Sequence, residues 1–163
     1  VAGLQAHPQF NASLDAGGRN LVQKKYFHVG IAVDTPGGLL VPVVREADRK
    51  SVPDIAAEIS ELSAQARTKG LPLERMSGGC FTLSSLGSIG GTGFTPIINA
   101  PELAIMGITR AFQKPVNVDG NLAWRTMLPL SLSYDHRVID GAAAARFVAH
   151  LVGVLSDLRR ALL

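Results

Sequence analysis

The chain has 163 residues, of which 47% are hydrophobic and 18% are charged, and this balance indicates one globular domain with a substantial core. The formal net charge of +3 is modest, and the Lys and Arg residues are scattered, so neither a nucleic-acid partner nor an anionic membrane surface is indicated. Charged residues interrupt every apolar run before it reaches the length that a membrane span requires.

The first ten residues, "VAGLQAHPQF", have no initiator methionine and are typical of the last turns of a helix, so the chain is expected to be part of a longer protein. Two strand-like segments follow, "NASLD" (11–15) and 20–35, and the "AGG" between them is a hairpin turn signal. The apolar run "LLVPVV" (39–44) predicts a further strand.

A helix is predicted to begin at Ser51, because Asp54 stands three residues later as in a capping box and Pro53 is tolerated in a first turn. Apolar residues then recur on one face, and Gly70 ends the pattern. The residues on that face are Ile55, Ile59, Leu62 and Ala66.

Two strand candidates, 80–86 and 103–109, enclose a glycine-rich segment. Its densest part, "GSIGGTGF" (87–94), has neither the glycine order nor the lysine of a nucleotide-binding loop, so it predicts a backbone that turns tightly or approaches a partner closely. Cys80, the single cysteine, is expected to be buried in a strand, and a chain that cannot form an internal disulfide suits a reducing cytoplasm.

Further strands are predicted at 121–125 and 127–134, followed by a helix over 141–155 whose apolar residues recur at helical spacing. Trp124 and Phe147 are expected in the core or in a contact between subunits. Strands mixed with two substantial helices, without regular alternation, predict an α+β fold with a mixed β-sheet and flanking helices.

The most informative stretch is "SLSYDHRVIDG" (131–141), which places His136 on a short loop between a strand and a helix. Such a histidine can act as a general base if a partner fixes its tautomer. Alternatively, Asp140 is only the N-cap of the helix and His136 is only a hydrogen-bonded loop residue. On residue types alone, the second interpretation, in which Asp140 is an N-cap and His136 a loop residue, is more common than the general-base interpretation.

Two other kinds of site receive less support. His7, His28 and His150 show no ligand spacing with His136, so no metal site is predicted. A serine hydrolase would need a G-x-S-x-G elbow, and the serines near glycine read "TLSSLGS" instead.

The motif "YDHRVIDG" resembles the active-site signature of the dihydrolipoamide acyltransferases, the core enzymes of 2-oxo acid dehydrogenase complexes. Other stretches resemble the same family in the same order, so that the similarity covers essentially the whole chain. They are "PQFNASLD", "HVGIAVDTPGGLLVPVVREADRKS", "GGCFTLSSLGSIGGTGFTPIINAPELAIMGI" and "LPLSLSYDHRVIDGAAAARF". "FTLSSLG" is most similar to the branch formed by the bacterial acetyltransferases of the pyruvate complex.

This resemblance implies a trimer with a fold like chloramphenicol acetyltransferase and an active-site channel between neighbouring subunits. The implied activity is transfer of an acetyl group from S-acetyldihydrolipoamide to coenzyme A, together with a role as the structural core of the pyruvate dehydrogenase complex. Coenzyme A and the lipoyl group, which a separate domain carries, are both substrates, and no metal is implied.

The resemblance also implies residue roles. His136 corresponds to the family's general base, Asp140 to its motif aspartate, and Ser84 to the hydroxyl residue that donates to the oxyanion, with Ser85 as the weaker choice. Asp140 would hold the loop through an arginine rather than complete a triad. Since the acyl group passes directly between two thiols, no enzyme nucleophile is needed.

Residues 1–163 are therefore expected to be an acyltransferase catalytic domain without its N-terminal part, where the family's arginine partner for Asp140 lies. The lipoyl and peripheral-subunit-binding domains, through which pyruvate dehydrogenase and dihydrolipoamide dehydrogenase would bind, are expected to be missing from the chain. Leu162 and Leu163 resemble the tail that joins family trimers into a 24-subunit core.

Three alternatives stay open at this point. The chain can be a trimeric assembly module with impaired catalysis, or an acyltransferase of the same family with a succinyl or branched-chain preference. It can also be a stand-alone acetyltransferase of the chloramphenicol type, although that group favours a second histidine where this chain has Asp135.

Overall fold

The computed structural model describes residues 1–161. Within this range the α-helices are α1 (Ala2–Ala6), α2 (Val52–Thr68) and α3 (Gly141–Ser156). The strands are β1 (Ala12–Leu14), β2 (Leu21–Gln23), β3 (Val29–Thr35), β4 (Gly38–Leu40), β5 (Val43–Val44), β6 (Phe81–Ser85), β7 (Ala104–Ile108), β8 (Phe112–Val118), β9 (Asn121–Met127) and β10 (Leu130–Tyr134). None of the helices in this range is long and apolar enough to cross a membrane.

The central sheet has six strands in the order β10-β7-β6-β3-β4, and β5 also pairs with β3. Strands β3, β6 and β7 are parallel to one another, whereas β10, β4 and β5 run antiparallel to their neighbours. A parallel pair needs a long crossover connection, and α2 lies in the connection between β3 and β6. The predicted mixed sheet with flanking helices is confirmed.

The predicted capping box of α2 is confirmed. The Ser51 hydroxyl accepts a hydrogen bond from the Asp54 backbone N–H, and the Asp54 carboxylate accepts one from the Ser51 N–H. Leu62 is buried against Val44 of β5, as the apolar spacing of the helix predicted. Gly70, with φ +72°, lies just beyond the end of the helix.

Both long helices cover the same face of the sheet. Phe147 of α3 stacks on Phe10 with ring centroids 4.1 Å apart, and Phe81 and Met106 project from the sheet into the same cluster. Val29, which packs against the α2 cluster, is registered with Phe81 and therefore points to this face as well. The main core thus lies between the sheet and the helices.

Around Ser84, the opposite face carries small and polar side chains. Registered residues of paired strands point to the same face, so Ser84, Gly107 and Ser131 lie together there, with Thr82 two residues before Ser84. Thr82 and Gly107 are buried, whereas Ser84 and Ser131 are half-buried. The only described helices of substantial length pack on the other face, which leaves Ser84 on the side that the helices do not cover.

Two strand predictions were wrong in extent. The segment 20–35 is not continuous, because β2 ends at Gln23 and β3 begins at Val29. The run 39–44 is divided at Pro42, which cannot donate a ladder hydrogen bond, although its carbonyl accepts one from Ile31 at 2.9 Å.

The hairpin of β8 and β9 projects from the central sheet and forms a two-stranded sheet of its own. Strand β8 was not predicted, and Met127 belongs to β9 rather than to the last strand of the central sheet. Trp124 on this hairpin is 66% exposed, so a place in the core is wrong for it, and a subunit contact stays a prediction. Phe147 is in the core as expected.

Candidate active site

The motif loop, residues 135–140, joins the end of β10 to the start of α3. The Asp135 N–H donates to the Leu103 carbonyl at 2.8 Å, and the Ile139 N–H donates to the Asp135 carbonyl at 3.0 Å. The Ile139 side chain is completely buried in the core. A loop tied to β7 and to the core holds the backbone of His136 in one place, while His136 itself is exposed.

Asp135 and Arg137 form an ion pair inside this loop. The Arg137 Nε and Nη2 atoms donate to both carboxylate oxygens of Asp135, and the Asp135 side chain also accepts from the Arg137 backbone N–H at 3.0 Å. These hydrogen bonds lower the pKa of Asp135 and raise the pKa of Arg137. The opposite charges of Asp135 and Arg137 therefore compensate each other beside His136.

Asp140 is the N-cap of α3, which confirms the structural interpretation of this residue. Its Oδ1 accepts from the Ala143 N–H at 2.7 Å, and its carbonyl accepts from the Ala144 N–H at 3.0 Å. Among the residues that the structure describes, no basic side chain forms a salt bridge with Asp140. Its observed role is to fix where the motif loop ends and α3 begins.

The His136 ring is accompanied by the ring of Tyr134. The two ring centroids are 5.7 Å apart, and the planes are inclined by 36°. Because His136 is exposed at the end of a rigid loop, its ring nitrogens are accessible to a substrate or to a second protein surface. An accessible imidazole can act as a general acid or base towards a bound substrate.

Ser84 and Ser85 occupy the last two positions of β6 and point to opposite faces of the sheet. Ser84 is registered with Ala32 of β3 and Gly107 of β7, so neither neighbouring strand places a large side chain beside it. Ser84 is half-buried, and Ser85 is exposed. Only Ser84 belongs to the face that the long helices leave uncovered.

Within one chain, Ser84 and His136 lie at opposite ends of the central sheet. Ser84 is registered with Gly107, and Gly107 with Ser131 at the start of β10, whereas His136 follows the other end of β10. The five residues from Ser131 to His136 span roughly 15 Å, and two strand spacings add about 10 Å across the sheet. The two side chains are therefore beyond hydrogen-bonding reach unless a second copy brings them together.

Glu102 is a buried carboxyl group at the His136 end of the sheet, and sequence reasoning missed it. It is 5% exposed, and its Oε2 accepts from the Thr82 hydroxyl at 2.6 Å. Burial raises the pKa of Glu102 to about 7, against the opposing effects of Thr82 and Lys24. With Asp135 and Arg137 it lines a cleft of about 650 Å³. An acidic residue directly before a wholly apolar strand was the available signal.

Residues 1–161 do not form a metal site, a nucleotide-binding loop or the serine turn of a hydrolase. In this part of the chain no group of three or more His, Cys, Asp or Glu side chains is placed to hold a metal ion. No helix follows the glycine-rich segment 87–94, since the next regular element is β7. Ser84 and Ser85 lie on a strand rather than on the sharp strand-to-helix turn of a hydrolase.

Comparison with solved structures first identifies the class of fold. A chloramphenicol acetyltransferase shares the architecture with a TM-score of 0.55 and 15% sequence identity, covering 90% of this chain and 69% of that one. At this identity the likeness shows the fold alone, and it confirms the expected chloramphenicol acetyltransferase-like arrangement.

The family follows from the sequence itself. The family model of the 2-oxoacid dehydrogenases acyltransferase (catalytic domain) matches residues 1–163, and the chain belongs to this family. The dihydrolipoyllysine-residue acetyltransferase component of the pyruvate dehydrogenase complex from Pseudomonas aeruginosa is 58% identical over 98% of the chain. The corresponding Cupriavidus necator protein is 58% identical over 100% of the chain. The chain spans 29% of the length of each of these two relatives.

Two solved structures match closely. The cubic core of the pyruvate dehydrogenase multienzyme complex has a TM-score of 0.95 at 58% identity, covering 98% of this chain and 66% of that one. The same values hold for the dihydrolipoamide acetyltransferase of Azotobacter vinelandii, in which the roles of a serine, a histidine and an asparagine in the catalytic mechanism were investigated.

Proposed function

We propose that the protein transfers an acetyl group from S-acetyldihydrolipoamide to coenzyme A as part of a pyruvate dehydrogenase complex. The observation that carries this proposal is the spacing of three residues along the sequence. The serine, histidine and asparagine studied in the Azotobacter enzyme are separated by the same intervals as Ser84, His136 and Asp140. Ser85 does not fit the interval, which supports Ser84 as the hydroxyl residue.

His136 is assigned as the general base and Ser84 as the oxyanion donor. Asp140 takes the place of the asparagine of the Azotobacter enzyme, and Asp and Asn are equally good N-caps because each offers a side-chain oxygen to the first turn of a helix. This interchange supports a role in which Asp140 positions the motif loop. A charge partner for the imidazole would not tolerate the amide so readily.

The proposed reaction needs two proton transfers, one from the incoming thiol to His136 and one from His136 to the leaving sulfur. A free thiol has a pKa of about 8.5, so His136 takes the proton of the coenzyme A thiol as the sulfur attacks the thioester carbonyl carbon. The Ser84 hydroxyl donates to the oxyanion of the tetrahedral intermediate. The intermediate then expels the dihydrolipoyl sulfur, which recovers a proton from the imidazolium, and acetyl-coenzyme A is formed.

The proposed site lies between copies of the chain. The separation of Ser84 and His136 within one chain supports a trimer in which Ser84 of one subunit faces His136 of the next. Closed rings of this kind place the same pair of surfaces at each interface, so a trimer would contain three equivalent sites. The location of Ser84 on the face that no long helix covers supports this arrangement.

The wider assembly is proposed from the relatives alone. The similarity to a cubic core supports a 24-subunit particle in the cytoplasm, with pyruvate dehydrogenase and dihydrolipoamide dehydrogenase bound through other domains of a longer protein. The proposed docking tail, Leu162 and Leu163, lies outside the described residues. An assembly module without transfer is the second candidate, since a single chain does not bring its own two reactive groups together.

Acetyl-transfer assays of the unsubstituted protein and of a His136 variant test these candidates. His136→Ala is expected to lower kcat for acetyl transfer by roughly 10²–10⁴ with little change in KM, because the imidazole acts on the transferred proton rather than on ground-state binding. The measurement is transfer from acetyl-coenzyme A to dihydrolipoamide, with sedimentation to verify that the particle is intact. Wild-type turnover in the variant would eliminate His136 as the base. Intact particles without transfer in the unsubstituted protein would favour the assembly module.

A further inference from the structure

The side chain of Glu102 joins β7 to β6 just before the backbone ladder between these strands begins. The first registered pair of the two strands is Thr82 with Ile105, so Glu102 and Leu103 precede the ladder. At this point Oε2 of Glu102 accepts from the Thr82 hydroxyl at 2.6 Å. Thr82 is 0% exposed and Glu102 is 5% exposed, so this hydrogen bond is largely shielded from water. The carboxyl group therefore ties the start of β7 to the neighbouring strand.

The other oxygen of this carboxyl group is seated over Gly79, which lies just before β6. A Cβ atom at Gly79 would lie 2.5 Å from Oε1 of Glu102. The backbone of Gly79 needs no left-handed conformation, so it is the close approach of this oxygen that favours glycine there. The Gly79 carbonyl also accepts from Nζ of Lys24 at 3.0 Å. Both carboxyl oxygens thus have a defined place beside the start of β6.

The residue that follows Glu102 holds the motif loop. The Leu103 carbonyl accepts from the Asp135 N–H at 2.8 Å, and the Asp135 carbonyl accepts from the Ile139 N–H at 3.0 Å. His136 lies between these hydrogen-bonded points, so a shift at the start of β7 is passed on to its backbone. Such a shift matters for a general base, because a misplacement of about 1 Å can lower a rate about 10²-fold.

The burial of this carboxyl group has a cost that an apolar side chain would avoid. Burial raises the pKa of Glu102 to about 7, and the Thr82 hydrogen bond, the charge of Lys24 and the Asn99 side chain oppose this shift only in part. In the described part of the chain, no salt bridge neutralises the carboxyl group. This cost supports a role for Glu102 that depends on its hydrogen bonds.

We propose that Glu102 is a positioning residue, which fixes the place of His136 by tying the start of β7 to β6. The proposal rests on the function proposed above, since its effect on turnover requires His136 to act as the base. Glu102 acts through Leu103 and the motif loop rather than on a substrate. Its loss should therefore change kcat rather than KM.

Steady-state acetyl transfer by the assembled protein tests this role. Glu102→Ala should lower kcat by about 10- to 100-fold, with both KM values within about two-fold of wild type, because the imidazole is displaced. Glu102→Gln should keep kcat within a few-fold of wild type, since its amide oxygen still accepts from Thr82. Thr82→Val, which removes only the donor, should lower kcat as well. The double variant Thr82→Val/Glu102→Ala should be no less active than Glu102→Ala, because both substitutions break the same tie.

Hydrogen exchange on the same particles separates positioning from a general loss of stability. In Glu102→Ala, a peptide that contains the Asp135 and Ile139 amides should exchange faster, whereas peptides of α2 should keep their wild-type rates. Leu62→Ala is the matched control, because Leu62 is 2% exposed in the other core cluster and its truncation destabilises the fold at α2. The control should leave kcat of the folded particle and exchange in the motif loop near wild type.

Several results would overturn the proposal. They are a wild-type kcat or a raised KM with unchanged kcat in folded Glu102→Ala, a lowered kcat without faster exchange in the motif loop, a Gln variant as impaired as the Ala variant, and an equal loss of kcat in Leu62→Ala. If Glu102→Ala does not fold, Thr82→Val decides by the same two measurements. Failure of the underlying function looks different, because the wild-type protein would then transfer no acetyl group while the motif loop of the variant still exchanged faster.

Discussion

The two ends of the central sheet differ in how completely one chain fixes them. At the end that carries His136, a backbone hydrogen bond to Leu103, the Asp135–Arg137 pair and the Asp140 cap hold the motif loop. At the end that carries Ser84, the chain continues into a glycine-rich segment and a hairpin that belongs to no larger sheet. If a Cβ atom were added at several of the segment's glycines, no heavy atom would lie within 4 Å of it.

This difference supports the proposed division of the chemistry between subunits. The base must keep one orientation through proton uptake and release, and its own chain provides the support. The hydroxyl lies beside open, partly apolar surface, and exposed side chains such as Trp124 and Leu122 of the hairpin are available for burial by another copy. In the proposed assembly, a single subunit supports the His136 end, whereas a second subunit completes the Ser84 end.

The largest effect is expected from a substitution at the Ser84 end of the sheet. Ser84→Ala should lower kcat by about 10²–10³, because the variant loses one donor to the oxyanion. Ser85→Ala is the matched control on the opposite face of the same strand and should stay near wild-type activity. The measurement is steady-state acetyl transfer by both variants. Loss of activity in the Ser85 variant alone would show that the proposed residue is off by one.

The His136 end can be probed through the pH dependence of stability. The pKa of Glu102 is raised from 4.5 to about 7 by burial, so the folded protein favours the protonated carboxyl. The contribution of the protonated Glu102 carboxyl to stability is greatest below pH ~4.5 and is lost as the pH rises through ~7. This loss amounts to about 3 kcal/mol in the free energy of unfolding. Glu102→Gln should remove this dependence, because the amide never ionises and its oxygen still accepts from Thr82.

Chemical denaturation at a series of pH values from 4 to 8 measures this effect. The exposed Glu74→Gln variant is the control and should follow the wild-type curve. Parallel curves for the wild type and the Glu102 variant would show that Glu102 titrates at its ordinary pKa and is not desolvated as the structure indicates.

The smallest expected effect concerns the start of α3. Asp140→Ala should lower the free energy of unfolding by about 1 kcal/mol, because the Ala143 N–H loses its acceptor. Asp140→Asn should retain both stability and transfer, because an amide oxygen also accepts from the Ala143 N–H and Asn is as good an N-cap as Asp. Thermal unfolding and kcat are measured together. A large loss of kcat in the Asn variant at unchanged stability would give Asp140 an electrostatic role instead.

The sequence was most informative where local chemistry decides the structure. The Ser51 capping box, the Asp140 N-cap and the apolar faces of α2 and α3 depend on neighbours within four residues. All are present in the structure, except that Leu155 near the end of α3 is 50% exposed. The apolar strands β6 and β7 are likewise close to their predicted bounds. Strand β8 was missed because a hairpin with few buried residues has no apolar alternation to detect.

The candidate site was only partly predictable. The motif and the resemblance predicted Ser84, His136 and Asp140 as site residues, but their separation depends on the order and direction of β6, β7 and β10. Neither quantity is encoded in local periodicity. The burial of Glu102 against Thr82 also joins residues that only the tertiary structure brings together.

Mixed oligomers test the central claim, that His136 and Ser84 of different chains form one site. The His136→Ala and Ser84→Ala variants, each nearly inactive alone, are co-assembled in equal amounts and assayed for acetyl transfer. If the site is shared, random mixing in a closed ring pairs an intact His136 with an intact Ser84 at about one interface in four, and about a quarter of wild-type activity should return. Mixed particles that stay as inactive as the separate variants would contradict the account.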